Sequence, residues 1–154
     1  MRAAMTNIFV YGSLMSHEVQ QVLLRRIPPQ LPAVAHGFHR FQIKDRCYPA
    51  VTALAEGSVQ GRLLCGLTEK ETKLFDLFEE EDYSRQVIQV ATEEPFEGEA
   101  HMYLWVSGDA GKQYHPHTCL GHGSWPWASR GPALTDRFSL TTAATARALR
   151  RVEV

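Results

Sequence analysis

The chain has 154 residues, 44% of them hydrophobic, with 16 basic side chains against 17 acidic ones. That is enough to bury one core and too little for two of comparable size, so residues 1–154 are read as a single domain. The near cancellation of charge leaves no global field to attract nucleic acid or an anionic membrane, and any charged ligand must be recognised locally.

Three cysteines, Cys47, Cys65 and Cys119, form an odd set without paired spacing, which suits small buried hydrophobes in a reducing compartment better than a disulfide framework. No apolar run approaches the length of a membrane span, and Met1-Arg2 lead into a strand-like segment without a signal-peptide core, so a soluble, cytoplasmic protein is expected.

Residues 7–11 are a short apolar run stopped by Gly12, the pattern of a buried strand that turns sharply. Ser16 can then cap a helix whose apolar positions Val19, Val22, Leu23 and Ile27 recur at helical spacing until Pro28-Pro29 end it. Phe38, Phe41 and Ile43 suggest a strand within 32–43, and Tyr48-Pro49 begin another extended piece reaching Leu54. Val59, Gly61, Leu63, Cys65 and Leu67 share one parity, a strand with one apolar face after a Glu56-Gly57 turn. Thr68 and Glu71 make a T-x-x-E capping box for a helix that turns Leu74, Phe75 and Phe78 inward, with Leu67 packing at its start.

Residues 83–92 and 99–106 both read as strands, joined through Pro95, Glu97 and Gly98 as a hairpin. From about residue 107 the chain turns loop-rich, with Gly, His, Pro and Trp concentrated in 108–132, and a last helix is expected near the C-terminus. Short, mostly antiparallel strands with interposed helices indicate an α+β domain on a strongly curved or barrel-like sheet.

Two segments carry chemistry. A strand that breaks at Tyr11-Gly12-Ser13-Leu14, with Met15 and Ser16 leading into a helix, exposes main-chain N–H groups that can cradle a carboxylate. A lone tetrapeptide of this kind more often marks only a tight strand-to-helix turn. The second segment is the acidic run Glu79-Glu80-Glu81-Asp82 at a helix end. Glu79 stands apart from its neighbours, because it lies one turn after Phe75 at the margin of the apolar stripe. Apolar surroundings and the negative helix end would disfavour its charge and make it a better base.

In combination, Asn7-Ile8-Phe9-Val10-Tyr11-Gly12-Ser13-Leu14, Phe38-His39-Arg40-Phe41, Tyr48-Pro49-Ala50, Val59-Gln60-Gly61, Asp76-Leu77-Phe78-Glu79 and Tyr83-Ser84-Arg85 resemble, in order and spacing, the gamma-glutamylcyclotransferase-like superfamily. The resemblance is to its avirulence-induced-gene-like branch and spans residues 7–106. It implies a small mixed β-barrel flanked by helices and a small-molecule gamma-glutamyl substrate held by the amides of Tyr11, Gly12, Ser13, Leu14, Met15 and Ser16. It also implies that Glu79 is the proton acceptor. The expected reaction is internal aminolysis giving 5-oxoproline, which needs no cofactor.

Tyr48, Tyr83 and Tyr103 are candidates to line the pocket. After Trp105 the chain departs from the family pattern, and residues 125–137 do not resemble its closing helix. His115, His117, Cys119 and His122 fit no standard zinc spacing, so no metal site is expected. Trp125 and Trp127 read as packing of the loop onto the domain. The rival reading is a non-catalytic binding module, since a fold hosts functions without guaranteeing them.

Overall fold

Strand β1 (Thr6–Val10) is apolar on both faces because both are covered: Ile8, Phe9 and Val10 are buried, and the strand runs between β3 (Pro49–Leu67) and β6 (Ala100–Trp105). In the computed structural model, which describes residues 5–42, 49–79 and 81–106, it is a central strand of a six-stranded mixed sheet. The remaining strands are β2 (Gln30–Gln42), β4 (Tyr83–Ile88) and β5 (Ala91–Thr92), in the order β4-β6-β1-β3-β2-β5. β1 and β6 are parallel and the other pairs antiparallel.

β4 and β5 stand at opposite edges, yet only Gln89 and Val90 separate them in the chain. Edges of a flat six-stranded sheet would lie about 24 Å apart, whereas Ile88 to Ala91 can span at most about 11 Å. The sheet is therefore rolled, as expected. It is not the closed barrel that the resemblance implied: among the described residues no ladder joins β4 to β5. The reason is local, since β5 is two residues long and spends its pairing on Ala33 and Val34 of β2.

Rolling gives the sheet two buried faces. The inner one packs Phe9, Val59, Leu63, Ile88 and Met102, with the half-buried Cys65 against them. The outer one packs Ile8, Val10 and Leu64 against Leu14, Val19 and Leu23 from the first helical region and Phe75 from the second. The single apolar face expected for residues 59–67 is thus corrected, because Leu64, of the other parity, is as fully buried as Leu63.

Helix α1 (His17–Leu24) ends earlier than expected, at Arg25 in the left-handed conformation (φ 55°), so Ile27 lies beyond the helix and is 47% exposed. Ser16 occupies its N-cap position without capping by its side chain, its hydroxyl donating instead to Glu18. Helix α2 (Glu69–Glu79) begins at the expected capping box, with the Thr68 N–H donating to Glu71 Oε2 at 2.8 Å and the Glu71 N–H returning to Thr68 Oγ1 at 3.3 Å. Arg26 also donates to Glu71 from both Nε and Nη2. That guanidinium, helped by Thr68 and opposed by partial burial, holds the Glu71 carboxyl down at about 2.

The turn expected at Glu56-Gly57 is a bulge inside β3. His36 pairs with Ser58 and Phe38 with Ala53, so Leu54, Ala55, Glu56 and Gly57 stand opposite Gly37 alone, which takes a φ of +84°. A Cβ on Gly57 would meet the Phe38 carbonyl oxygen at 2.2 Å, so glycine here permits a close approach of two strands. β4 and β6 pair antiparallel, as a hairpin requires, but their connection first visits β2 as β5.

Candidate active site

The chain leaves β1 at Tyr11 and passes through Gly12 into one 3-10 turn, Ser13–Met15, before α1 begins. Met15 N–H donates to Gly12 O and Ser16 N–H to Ser13 O, each at 3.0 Å, whereas the main-chain N–H groups of Gly12, Ser13 and Leu14 meet no acceptor among the described residues. The loop is clamped from two sides. Buried Gln20 donates from Nε2 to Leu14 O at 2.8 Å, and Arg40 donates from Nη1 to Tyr11 O at 3.1 Å. Leu14 and Met15 turn their side chains into the helix-side core, so what they can offer a ligand is main chain.

Tyr11 is buried and its hydroxyl donates to the main-chain oxygen of Tyr103 at 2.6 Å. Across from it stands the last turn of α2. Phe75 is fully buried, Phe78 packs against the helix-side core, and Glu79 is half-buried, one turn beyond Phe75. Burial is the main reason the Tyr11 phenol is pushed well up, and the negative charge of Glu79 is next, followed by Tyr83, with Arg40 opposing. Tyr103 is raised as well, first by burial, then by its hydrogen bond to Asp76 and the charge of Asp76, and also by Glu79. Glu79 thus shares one electrostatic neighbourhood with the loop tyrosine and with Tyr103 of β6.

Both phenols remain protonated, and both O–H groups are committed, since Tyr103 donates to Asp76 Oδ1 at 2.6 Å. Arg85 closes the other side of Asp76, donating from Nε to Oδ1 at 2.9 Å and from Nη2 to Oδ2 at 3.3 Å. Tyr83 stacks edge-on against Trp105, ring centroids 5.3 Å apart.

Of the sequence-derived candidates, Glu79, Tyr83 and Tyr103 come together around Tyr11, the residue before Gly12. Ser16 turns away to Glu18. Tyr48 lies outside the described residues, as do His115, His117, Cys119, His122, Trp125 and Trp127. Among the described residues no cluster of His, Cys, Asp or Glu could hold a metal ion, and no helix is long and apolar enough to cross a membrane. Sequence reasoning gave no site role to Arg40, Asp76 or Arg85, although each lies in a quoted motif. The i, i+3 spacing of Asp76 and Glu79 was the available signal.

A rolled mixed sheet with two helices is the architecture of the gamma-glutamylcyclotransferase-like class of α+β proteins. The chain belongs to the family described as gamma-glutamyl cyclotransferase, AIG2-like, which matches residues 8–126 and so runs past the point where the motif resemblance ended. It is 40% identical to AIG2-like protein C of Arabidopsis thaliana over 104 residues, 67% of this chain but 60% of that protein, so it spans less than two thirds of that relative. A solution structure of an Arabidopsis thaliana protein superposes with a TM-score of 0.64 at 29% identity, covering 82% of this chain and 80% of that one. A solved gamma-glutamyl cyclotransferase shares the fold, with a TM-score of 0.55 at 17% identity, over 67% of this chain and 68% of that one.

Proposed function

We propose that this protein releases 5-oxoproline from a gamma-glutamyl compound by internal aminolysis, with Glu79 moving the protons. The α-amine of the substrate attacks its own side-chain carbonyl carbon, a ring C–N bond forms, and the original amide C–N bond breaks to release an amine. Because nucleophile and electrophile belong to one molecule, holding it in a ring-closing pose removes several kcal/mol of the barrier. An α-amine has a pKa of about 8, so a proton must leave before attack. Glu79 accepts it and then returns a proton to the departing nitrogen, a base-then-acid sequence open to a single carboxylate.

The N–H groups of Gly12, Ser13 and Leu14 are the donors for the substrate carboxylate or for the oxyanion of the tetrahedral intermediate, since the Tyr11 and Tyr103 hydroxyls are already spent. The observation that carries this reading is the loop after β1, whose Gly12, Ser13 and Leu14 N–H groups meet no acceptor among the described residues and which Gln20 and Arg40 clamp, with Tyr11 bonded across to Tyr103. The charge of Glu79, at the end of α2, acts on both of these tyrosines and so supports placing the acid on this side of the domain. The test is a panel of gamma-glutamyl dipeptides, gamma-glutamyl amines and glutathione assayed for 5-oxoproline. Turnover of at least one class is expected; silence across the panel would replace the enzyme by a binding module on the same fold.

A further inference from the structure

Asp76 lies three residues before Glu79 on α2, a spacing that puts their Cβ atoms about 5–6 Å apart on one helix face. Two carboxylates so placed repel. Asp76, however, carries the Arg85 fork on both oxygens and also takes the Tyr103 hydroxyl. Its contacts thus come from two different strands, Arg85 from β4 and Tyr103 from β6.

We propose that Asp76 and Arg85 are a charge-balanced positioning pair, fixing the Tyr103 hydroxyl while each cancels the other's pull on the proton exchange of Glu79. The proposal rests on Glu79 as the proton carrier. The pair's sum of charge is zero, so together the two side chains present Glu79 with neither a net anion nor a bare cation, while Glu80, Glu81 and Asp82 of the same acidic run are unchanged in every variant below. With its O–H aimed at Asp76, Tyr103 has only lone pairs left to offer, which suit a protonated acid better than a carboxylate.

The other groups in this neighbourhood come from several elements. Tyr11 after β1, Tyr83 on β4 and Tyr103 on β6 are phenols that carry no charge near neutral pH. Arg40 on β2 is held at the Tyr11 carbonyl and is the same in every variant below. His101 on β6 has its Nδ1 3.5 Å from Arg85 Nη1, and burial followed by the Arg85 charge lowers it. Removing Arg85 would let that ring take up a proton in acid, so the test is run in a His101→Gln background.

The Glu79 side-chain carboxyl carbon is followed by NMR across pH, assigned by its loss in Glu79→Gln. Asp76→Asn leaves the guanidinium unbalanced and is expected to move the Glu79 midpoint down; Arg85→Gln leaves the Asp76 carboxylate unbalanced and moves it up. Each displacement is about 0.5 to 1 pH unit, the scale of one charge at this range in a partly solvated site. The double variant, with neither charge, returns to within about 0.2 pH unit of the starting protein, and it keeps the test decisive if Arg85→Gln alone fails to fold.

Single variants that shift the same way, or a double variant displaced as far as either single, would overturn the pairing. Opposed shifts in a protein that makes no 5-oxoproline would uphold the pair and remove the catalytic reading. The two ideas therefore fail separately. In an active enzyme, the acid limb of kcat/KM should follow the same opposed displacements, a behaviour that a merely structural contact would not produce.

Discussion

Replacing Gly61 by alanine probes how β1 is seated on β3 and how the loop that follows is placed. A Cβ there would stand 2.3 Å from the Val10 main-chain oxygen and 2.8 Å from Phe9 Cζ. Carbon makes comfortable contact with oxygen or carbon at about 3.3–4.0 Å, so something must yield by about 1 Å. Phe9 is fully buried and Val10 nearly so, and they pair with Leu63 and Arg62 of β3. Neither can swing out, which means that β1 must lift from β3.

Overpacking of this kind costs about 1–3 kcal/mol, and a weakened ladder bond adds about 1 kcal/mol, giving a total of about 2–4 kcal/mol. For a chain of this length that lowers Tm by roughly 5–15 °C. Urea unfolding followed by tryptophan fluorescence should show the lowered midpoint at unchanged slope. Because Tyr11 and Gly12 follow Val10 directly, 5-oxoproline release should fall even where the variant is still fully folded. A variant within about 0.5 kcal/mol of the parent would refute the close-approach argument. Gly37→Ala is the contrast: nothing lies within 4 Å of its Cβ, and only its φ of +84° resists, so about 1–2 kcal/mol is expected with no effect on turnover.

Phe75→Ala removes a fully buried ring between α2 and the outer sheet face, and should cost about 3–5 kcal/mol by chemical denaturation. Glu71→Gln tests linkage. The folded Glu71 carboxyl, at about 2, lies below its ordinary 4.5, so its contribution is whole above about pH 4.5 and is lost as pH falls from there toward 2. With Arg26 partly exposed, that contribution is about 1–2 kcal/mol, and the stability difference between parent and Glu71→Gln should close over that interval.

The features legible in the sequence were those set by local chemistry. The capping box needs only Thr68 and Glu71 at the right spacing, and the buried β1 needs only a run of apolar residues ending at Gly12. Glu79 stood out because its distance from Phe75 is a helical turn. What the sequence hid depends on distant partners. Gly57 reads as a turn until Phe38 is brought against it across the sheet. Pro28-Pro29 suggested where α1 ends, but Arg25 ends it first by turning left-handed and then Arg26 reaches α2. The open seam follows from β5 choosing β2, and Asp76 gains its meaning only when Arg85 and Tyr103 arrive on separate strands.

The rate of 5-oxoproline release by Glu79→Gln, on whichever gamma-glutamyl compound the parent accepts, is the most direct test. Glutamine keeps the shape and removes the proton exchange, so a loss of at least about 100-fold in kcat is expected, with folding and substrate binding retained. Turnover within about threefold of the parent would show that the acid at the end of α2 carries no proton in the reaction.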